Sequence, residues 1–253
     1  MSNLITGNKT PAQIEAMRQG GKILAKILRE LCEFAKPGMT GLEIDQFARQ
    51  KLAEYGAKSA YLTPEVNFPG VVCISVNDCV VHGAPNATPF EQGDVVKFDM
   101  VIEFNKMMVD SAVTTVIGEE PKGAVKHLLN DTKKALVAGI SVVKPGVKTG
   151  DIGFAVETSL KKSKLGNVTE LVGHGIGEKM HMKPEVPNFG RKGSGVVLQA
   201  GDTFCIEPMT SLGKGKVIFD GEWDVRMKDG SLSAHFEHTV LVTEDGVEIL
   251  TME

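Results

Sequence analysis

No run of 18 or more apolar residues occurs in the 253-residue chain, so no segment is long enough to cross a bilayer as a helix. No basic run exceeds two or three residues, and the net charge is −4. That balance gives no case for nucleic acid or an anionic membrane as the main partner. Met1–Gly7 lacks a basic region followed by an apolar core, so no signal peptide is expected there. Cysteine is scarce: Cys32, Cys73, Cys79 and Cys205 form no Cys-x-x-Cys pair, and three of them sit in apolar periodic segments. This usage fits reduced thiols in a cytoplasmic protein better than a disulfide framework. There is no low-complexity segment and no long linker, so residues 1–253 read as one domain.

What the chain does contain is an internal repeat. Gly93-Asp94-Val95-Val96-Lys97-Phe98-Asp99-Met100 resembles Gly201-Asp202-Thr203-Phe204-Cys205-Ile206-Glu207-Pro208-Met209, and Lys36-Pro37-Gly38 resembles Lys144-Pro145-Gly146. Both matches lie 108 residues apart. They predict duplicated halves, about 11–118 and 119–253, each giving one apolar strand that ends in a carboxylate. Helices are expected over 11–34, where Thr10 and Gln13 make a capping box, and from Thr40 to Gly56. Two more are expected over about 123–143 and 151–165. Strands are expected over 71–76, 95–101, 168–172, 196–198, 203–206 and 236–242, from their apolar, β-branched composition. Helices segregated against a mostly antiparallel sheet make an α+β fold.

Asp99 and Asp110 are symmetric about Phe104-Asn105, inside a plausible hairpin loop, and so read as cross-strand partners. Glu207 and Glu237 are symmetric about Glu222, beside the turn-like Asp220-Gly221. Two facing pairs of acids on apolar strands are unfavourable without a cation. Gly173-His174-Gly175-Ile176-Gly177 presents an imidazole among glycines that let a ligand approach. Asp99, Asp110, His174, Glu207 and Glu237 together suit a pair of divalent first-row metals. His82 and His181 read equally as loop histidines or as groups beside that site. His127, His235 and His238 carry less: His127 falls on a helix, and His238 faces away from its neighbour Glu237.

The motifs Val81-His82-Gly83, Lys97-Phe98-Asp99, Asp110-Ser111-Ala112, Gly173 to Gly177, Ile206-Glu207-Pro208-Met209 and Phe236-Glu237-His238-Thr239 resemble the short bacterial form of type I methionine aminopeptidase, of peptidase family M24. The resemblance runs from about residue 10 to 250. It implies a duplicated pita-bread fold and a dinuclear site for Co, Mn, Fe or Zn. Asp110 and Glu237 would lie between the two ions, with Asp99 on one and His174 with Glu207 on the other. It implies hydrolysis of the first peptide bond, with Glu207 moving a proton and His82 and His181 stabilising the developing charge. Cys73, Phe68 and Trp223 fit the family's methionine pocket. Met180 stands where an aromatic is common, and the segment 61–68 matches poorly. The implied partners are nascent polypeptide N-termini, with the ribosome as a place of encounter, for a cytoplasmic monomer that needs no nucleic acid and no membrane. The implied substrates carry methionine before a small, uncharged residue. Alternatives are a prolidase or aminopeptidase P acting on X-Pro bonds, and a non-catalytic binding protein on the same fold.

Overall fold

The computed structural model describes residues 9–63 and 66–253. The expectation for Met1–Gly7, and Pro64 and Glu65 of the 61–68 segment, lie outside them. Helix α1, Pro11–Phe34, opens as expected: Thr10 Oγ1 accepts from the Gln13 N–H and the Gln13 carboxamide accepts from the Thr10 N–H. Its buried stripe is Met17, Leu24, Ile27, Leu28 and Leu31. Helix α2, Gly41–Tyr55, repeats the box with Thr40 and Glu43 and ends at Gly56, whose φ of 68° needs no Cβ to be accommodated. Helices α3 and α4 span Gly123–Ser141 and Thr149–Ser163. Helix α4 starts two residues before the expected position. Lys164 in the left-handed conformation ends it, ahead of Gly166.

Five strands precede α3: β1 (Lys58–Ser59), β2 (Cys73–Val76), β3 (Cys79–Val81), β4 (Val95–Phe104) and β5 (Met107–Val116). Ten follow: β6 (Gly166–Asn167), β7 (Gly173–Gly175), β8 (Met182–Val186), β9 (Thr203–Ile206), β10 (Met209–Ser211), β11 (Val217–Asp220), β12 (Asp224–Met227), β13 (Ser233–His235), β14 (Glu237–Val242) and β15 (Val247–Ile249). The main sheet runs β1-β4-β5-β14-β9-β7-β8, with β2 on β4 and β15 on β14, and every pair in it is antiparallel. Two three-stranded sheets, β13-β10-β6 and β11-β12-β3, extend from it. Alternation sorts the faces. On β4, Phe98, Met100 and Ile102 join the core under α1 and α2, and on β9, Phe204 and Ile206 join the core under α3 and α4.

The 108-residue repeat is visible hydrogen bond by hydrogen bond. Helices α2 and α4 are both 15 residues long and start 108 residues apart. The isolated bridges Thr40–Pro89 and Lys148–Val197 stand at the same offset. So do the bonds from Gly38 N to Phe90 O and from Gly146 N to Leu198 O. The fold is thus an α+β duplication built on a curled antiparallel sheet.

Three strand expectations change. The β4–β5 turn is Asn105-Lys106, with φ of 50° and 66°, the two positive values that a two-residue type I′ turn requires. Phe104 therefore pairs with Met107, Asp99 opposes Ala112, and Asp110 opposes Val101. The two acids are diagonal neighbours on one face, not direct partners. Residues 168–172 form no strand; the strand is β7 itself, with His174 on it. Gly173 permits this, because a Cβ there would stand 2.3 Å from the Cys205 carbonyl. Residues 196–198 carry one bridge only, with Val196 and Val197 exposed.

Candidate active site

Five consecutive strands of the main sheet, β4, β5, β14, β9 and β7, supply Asp99, Asp110, Glu237, Glu207 and His174 in that order. Glu207 follows the last residue of β9. Asp99 and Glu237 both oppose Ala112, from either side of β5. The β14–β9 register, with His238 on Ile206, and the β10–β13 register, with Met209 on His235, are both symmetric about Glu222, as is the β11–β12 arm. That is the symmetry anticipated for Glu207 and Glu237, carried by one long arm that Pro208 interrupts.

Hydroxyl groups fix the main chain that carries the donors. The β5–β14 ladder has only two pairs, and side chains extend it. Ser111 Oγ donates to the Glu237 carbonyl at 2.7 Å, and Thr239 Oγ1 accepts from Asp110 N and donates to Asp110 O. Thr114 does the same for His235. Asn188 Nδ2 donates to the Glu207 carbonyl at 2.9 Å. These acids are positioned through their backbone, which leaves Asp110 Oδ1 and Glu237 Oε1 without a hydrogen-bond partner.

These donors face a cavity of about 600 Å³. All eleven residues singled out in the sequence line it: Asp99, Asp110, His174, Glu207, Glu237, His82, His181, Cys73, Phe68, Met180 and Trp223. Tyr61 and His235 line it too. Tyr61 lies in the poorly matching segment, and its hydroxyl donates to Asp99 Oδ1 at 2.9 Å. His235 has no sequence signal beyond standing two residues before Glu237, on the same face of an extended chain. His127 is elsewhere, paired with Asp131 on α3, and His238 bonds to Thr251.

His174 Nδ1 is 3.0 Å from the Gly175 carbonyl, which can only accept, so Nδ1 carries the proton. Nε2 then presents a lone pair 3.7 Å from both Asp110 Oδ2 and Glu207 Oε1. Burial, reinforced by His181, pushes this imidazole down to about 4, so it is neutral at pH 7. Burial also lowers His82, with His181 adding to the effect, and lowers His181 itself. The His174 and His181 rings meet edge to face, 4.4 Å apart. His82 has φ of 59°, a left-handed conformation uncommon outside glycine and often found at functional sites.

The four acids are all raised, because burial penalises their charged forms. Asp99 rises to about 6. Asp110 is pushed well above the carboxylate range by burial and then by Glu237 and Asp99, Glu207 by burial and then Asp110, and Glu237 by burial and then Glu207. Among the described residues no lysine or arginine pairs with any of them. Asp110 Oδ1 and Glu237 Oε1 are fully buried without a partner. Buried oxygens of this kind cost free energy unless a cation meets them, and four carboxylates with one neutral imidazole suit a hard-to-borderline divalent ion. Donor atoms of Asp110, His174, Glu237 and Cys205 all fall within 4.8 Å of one another. Cys205 is off the cavity wall, and burial with the charge of Glu237 keeps its thiol protonated, so the oxygen and nitrogen donors fit the ion better.

Part of the cavity wall, next to Asp99, is aromatic. Phe68 packs edge to face on Tyr61 at 5.5 Å and on Trp223 at 5.2 Å, with Cys73 beside them.

Residues 15–244 match the model of metallopeptidase family M24. Methionine aminopeptidase A of Synechocystis is 39% identical over 242 residues, covering 95% of each chain, and the methionine aminopeptidase of Aquifex aeolicus is 39% identical over 250, covering 94% of this chain and 96% of its own. The crystal structure of methionine aminopeptidase from Rickettsia prowazekii superposes with a TM-score of 0.94 at 35% identity, covering 98% of this chain and all of the other. The prolidase of Pyrococcus furiosus shares the fold, with a TM-score of 0.79 at 22% identity, but this chain covers only 65% of it. With that sequence and structural likeness over nearly its whole length, the chain belongs to metallopeptidase family M24, among the methionine aminopeptidases.

Proposed function

We propose that this chain removes the N-terminal methionine from polypeptides whose second residue is small and uncharged, as a single catalytic domain with two divalent ions. The observation that carries it is the row of four acids and one imidazole lining a cavity whose wall also carries aromatic and sulfur-bearing side chains. Asp99, Asp110, His174, Glu207 and Glu237 would hold the ions, with Asp110 and Glu237 at the middle of the row. When bound, the ions supply a Lewis acid and lower the pKa of a water toward neutrality. Glu207 accepts the proton of the attacking water and passes it to the leaving amine. His82 and His181, neutral and facing the cavity, donate to the oxygen that gains negative charge. The acidic floor takes the free α-amine, which limits cleavage to the first bond. Phe68, Trp223, Cys73 and Met180 enclose the long thioether. The natural substrates are nascent chains in the cytoplasm, met at the ribosome by a monomer.

An X-Pro peptidase is the rival reading on the same fold. Hydrolysis of Met-Ala-Ser and of an X-Pro dipeptide, with chelator and after return of Mn or Co, separates them. Chelator-sensitive release of methionine from Met-Ala-Ser alone is expected. Preferred cleavage of the X-Pro dipeptide, or activity indifferent to chelator, would overturn the proposal.

A further inference from the structure

His235 is wholly buried, and neither of its ring nitrogens has a hydrogen-bond partner among the described residues. An orphaned imidazole is costly to bury, and this one lines the cavity. Its Nε2 stands 3.9 Å from Glu207 Oε2 and 3.7 Å from Glu237 Oε2. His174 Nε2 stands 3.7 Å from Glu207 Oε1 and from Asp110 Oδ2. The two imidazoles therefore flank Glu207, each within reach of a different one of its oxygens and of a second carboxylate. Donors on one five-coordinate ion with bonds of about 2.1 Å lie about 3.0–3.6 Å apart. The separations of both histidines stand just outside that range, at 3.7 Å twice for His174 and at 3.7 and 3.9 Å for His235. None of these separations is a hydrogen bond.

We propose that His235 is a second imidazole ligand for the ion held at Glu207 and Glu237, giving the site two nitrogen donors and a preference for Fe, Co or Zn over Mn. Imidazole favours the first group, and a pure carboxylate set favours Mn. The backbone of His235 is already fixed by both bonds to Thr114, so its ring is delivered to this place by the β13 chain. The inference rests on the metal-site reading above.

The test is proton NMR of the full chain loaded with Co(II), counting hyperfine-shifted, solvent-exchangeable imidazole N–H signals. Wild type should show two. His235→Gln and His235→Ala should each show one, and His238→Gln, altered outside the cavity, should keep two. Titration of the His235→Gln protein should show Co(II) affinity reduced at least about tenfold, with Mn(II) affected less. A single signal in wild type that persists in His235→Gln would overturn the inference and leave the metal site standing. No shifted signal in any form would overturn the metal reading itself.

Discussion

Asp99→Asn should stabilise the metal-free protein while weakening the metal-loaded one. Burial raises the Asp99 carboxyl from 3.8 to about 6. A folded-state value above the unfolded one means that the native state binds the proton more tightly. The penalty is therefore absent below about pH 4, grows as pH rises through about 6, and is fully present at neutral pH. Each tenfold change in acidity is worth about 1.4 kcal/mol, so ionised Asp99 costs the metal-free fold up to about 3 kcal/mol at pH 7.5. Asparagine has nearly the same shape and keeps an oxygen for the Tyr61 hydroxyl. For a chain of this length about 1 kcal/mol moves Tm by about 2–4 °C. In chelator at pH 7.5 the variant should melt several degrees above wild type, and near pH 4 the gap should close. With metal at about 1,000 times the wild-type Kd, wild type gains about 4.1 kcal/mol, which exceeds the burial penalty, and the order reverses because the variant binds metal too weakly to gain as much. Differential scanning fluorimetry across pH 4–8, with chelator and with Mn or Co, gives all three readings. A metal-free variant less stable than wild type at pH 7.5, or a gap that does not change with pH, would show that ionised Asp99 does not destabilise the metal-free fold.

Asp110→Ala and Glu237→Ala should each abolish turnover and lower the number of bound ions, measured by elemental analysis; near-normal turnover at saturating metal would contradict a site in which both acids lie between two ions. His82→Ala and His181→Ala should slow turnover by about 10²–10⁴ while calorimetry shows metal still bound. Loss of bound metal in either would make that histidine a ligand instead.

That these acids share one cavity was legible because a carboxylate on an apolar strand is out of place, and a repeat marks two such strands at once. Symmetry about Glu222 was also readable, since an antiparallel arm keeps its register through Pro208. The β4–β5 register was not, because it depends on whether Asn105-Lys106 or its neighbours take positive φ, and that choice moves every pairing by two residues. His235 and Tyr61 were unreadable for another reason. His235 ends β13 and Tyr61 lies on a single 3-10 turn, Ala60–Leu62, after β1; each meets residues remote in sequence, and a lone histidine or tyrosine carries no pattern. Residues 168–172 misled because their apolar character serves packing, while the strand falls on the glycines next to them, where close approach to Cys205 is possible.

What matters most is preferential removal of methionine before a small residue. It is tested most directly by kcat/KM for Met-Ala-Ser, Leu-Ala-Ser and Met-Lys-Ser with the metal-loaded protein. Efficient release of methionine is expected from the first. Leu-Ala-Ser should be cleaved more slowly, because a misplaced methylene against the wall of Phe68 and Trp223 costs about 1–3 kcal/mol. Met-Lys-Ser should be cleaved little, because a long second side chain meets His174 and His181. Equal values for Met-Ala-Ser and Leu-Ala-Ser, or for Met-Ala-Ser and Met-Lys-Ser, would contradict it and make the enzyme a broad aminopeptidase.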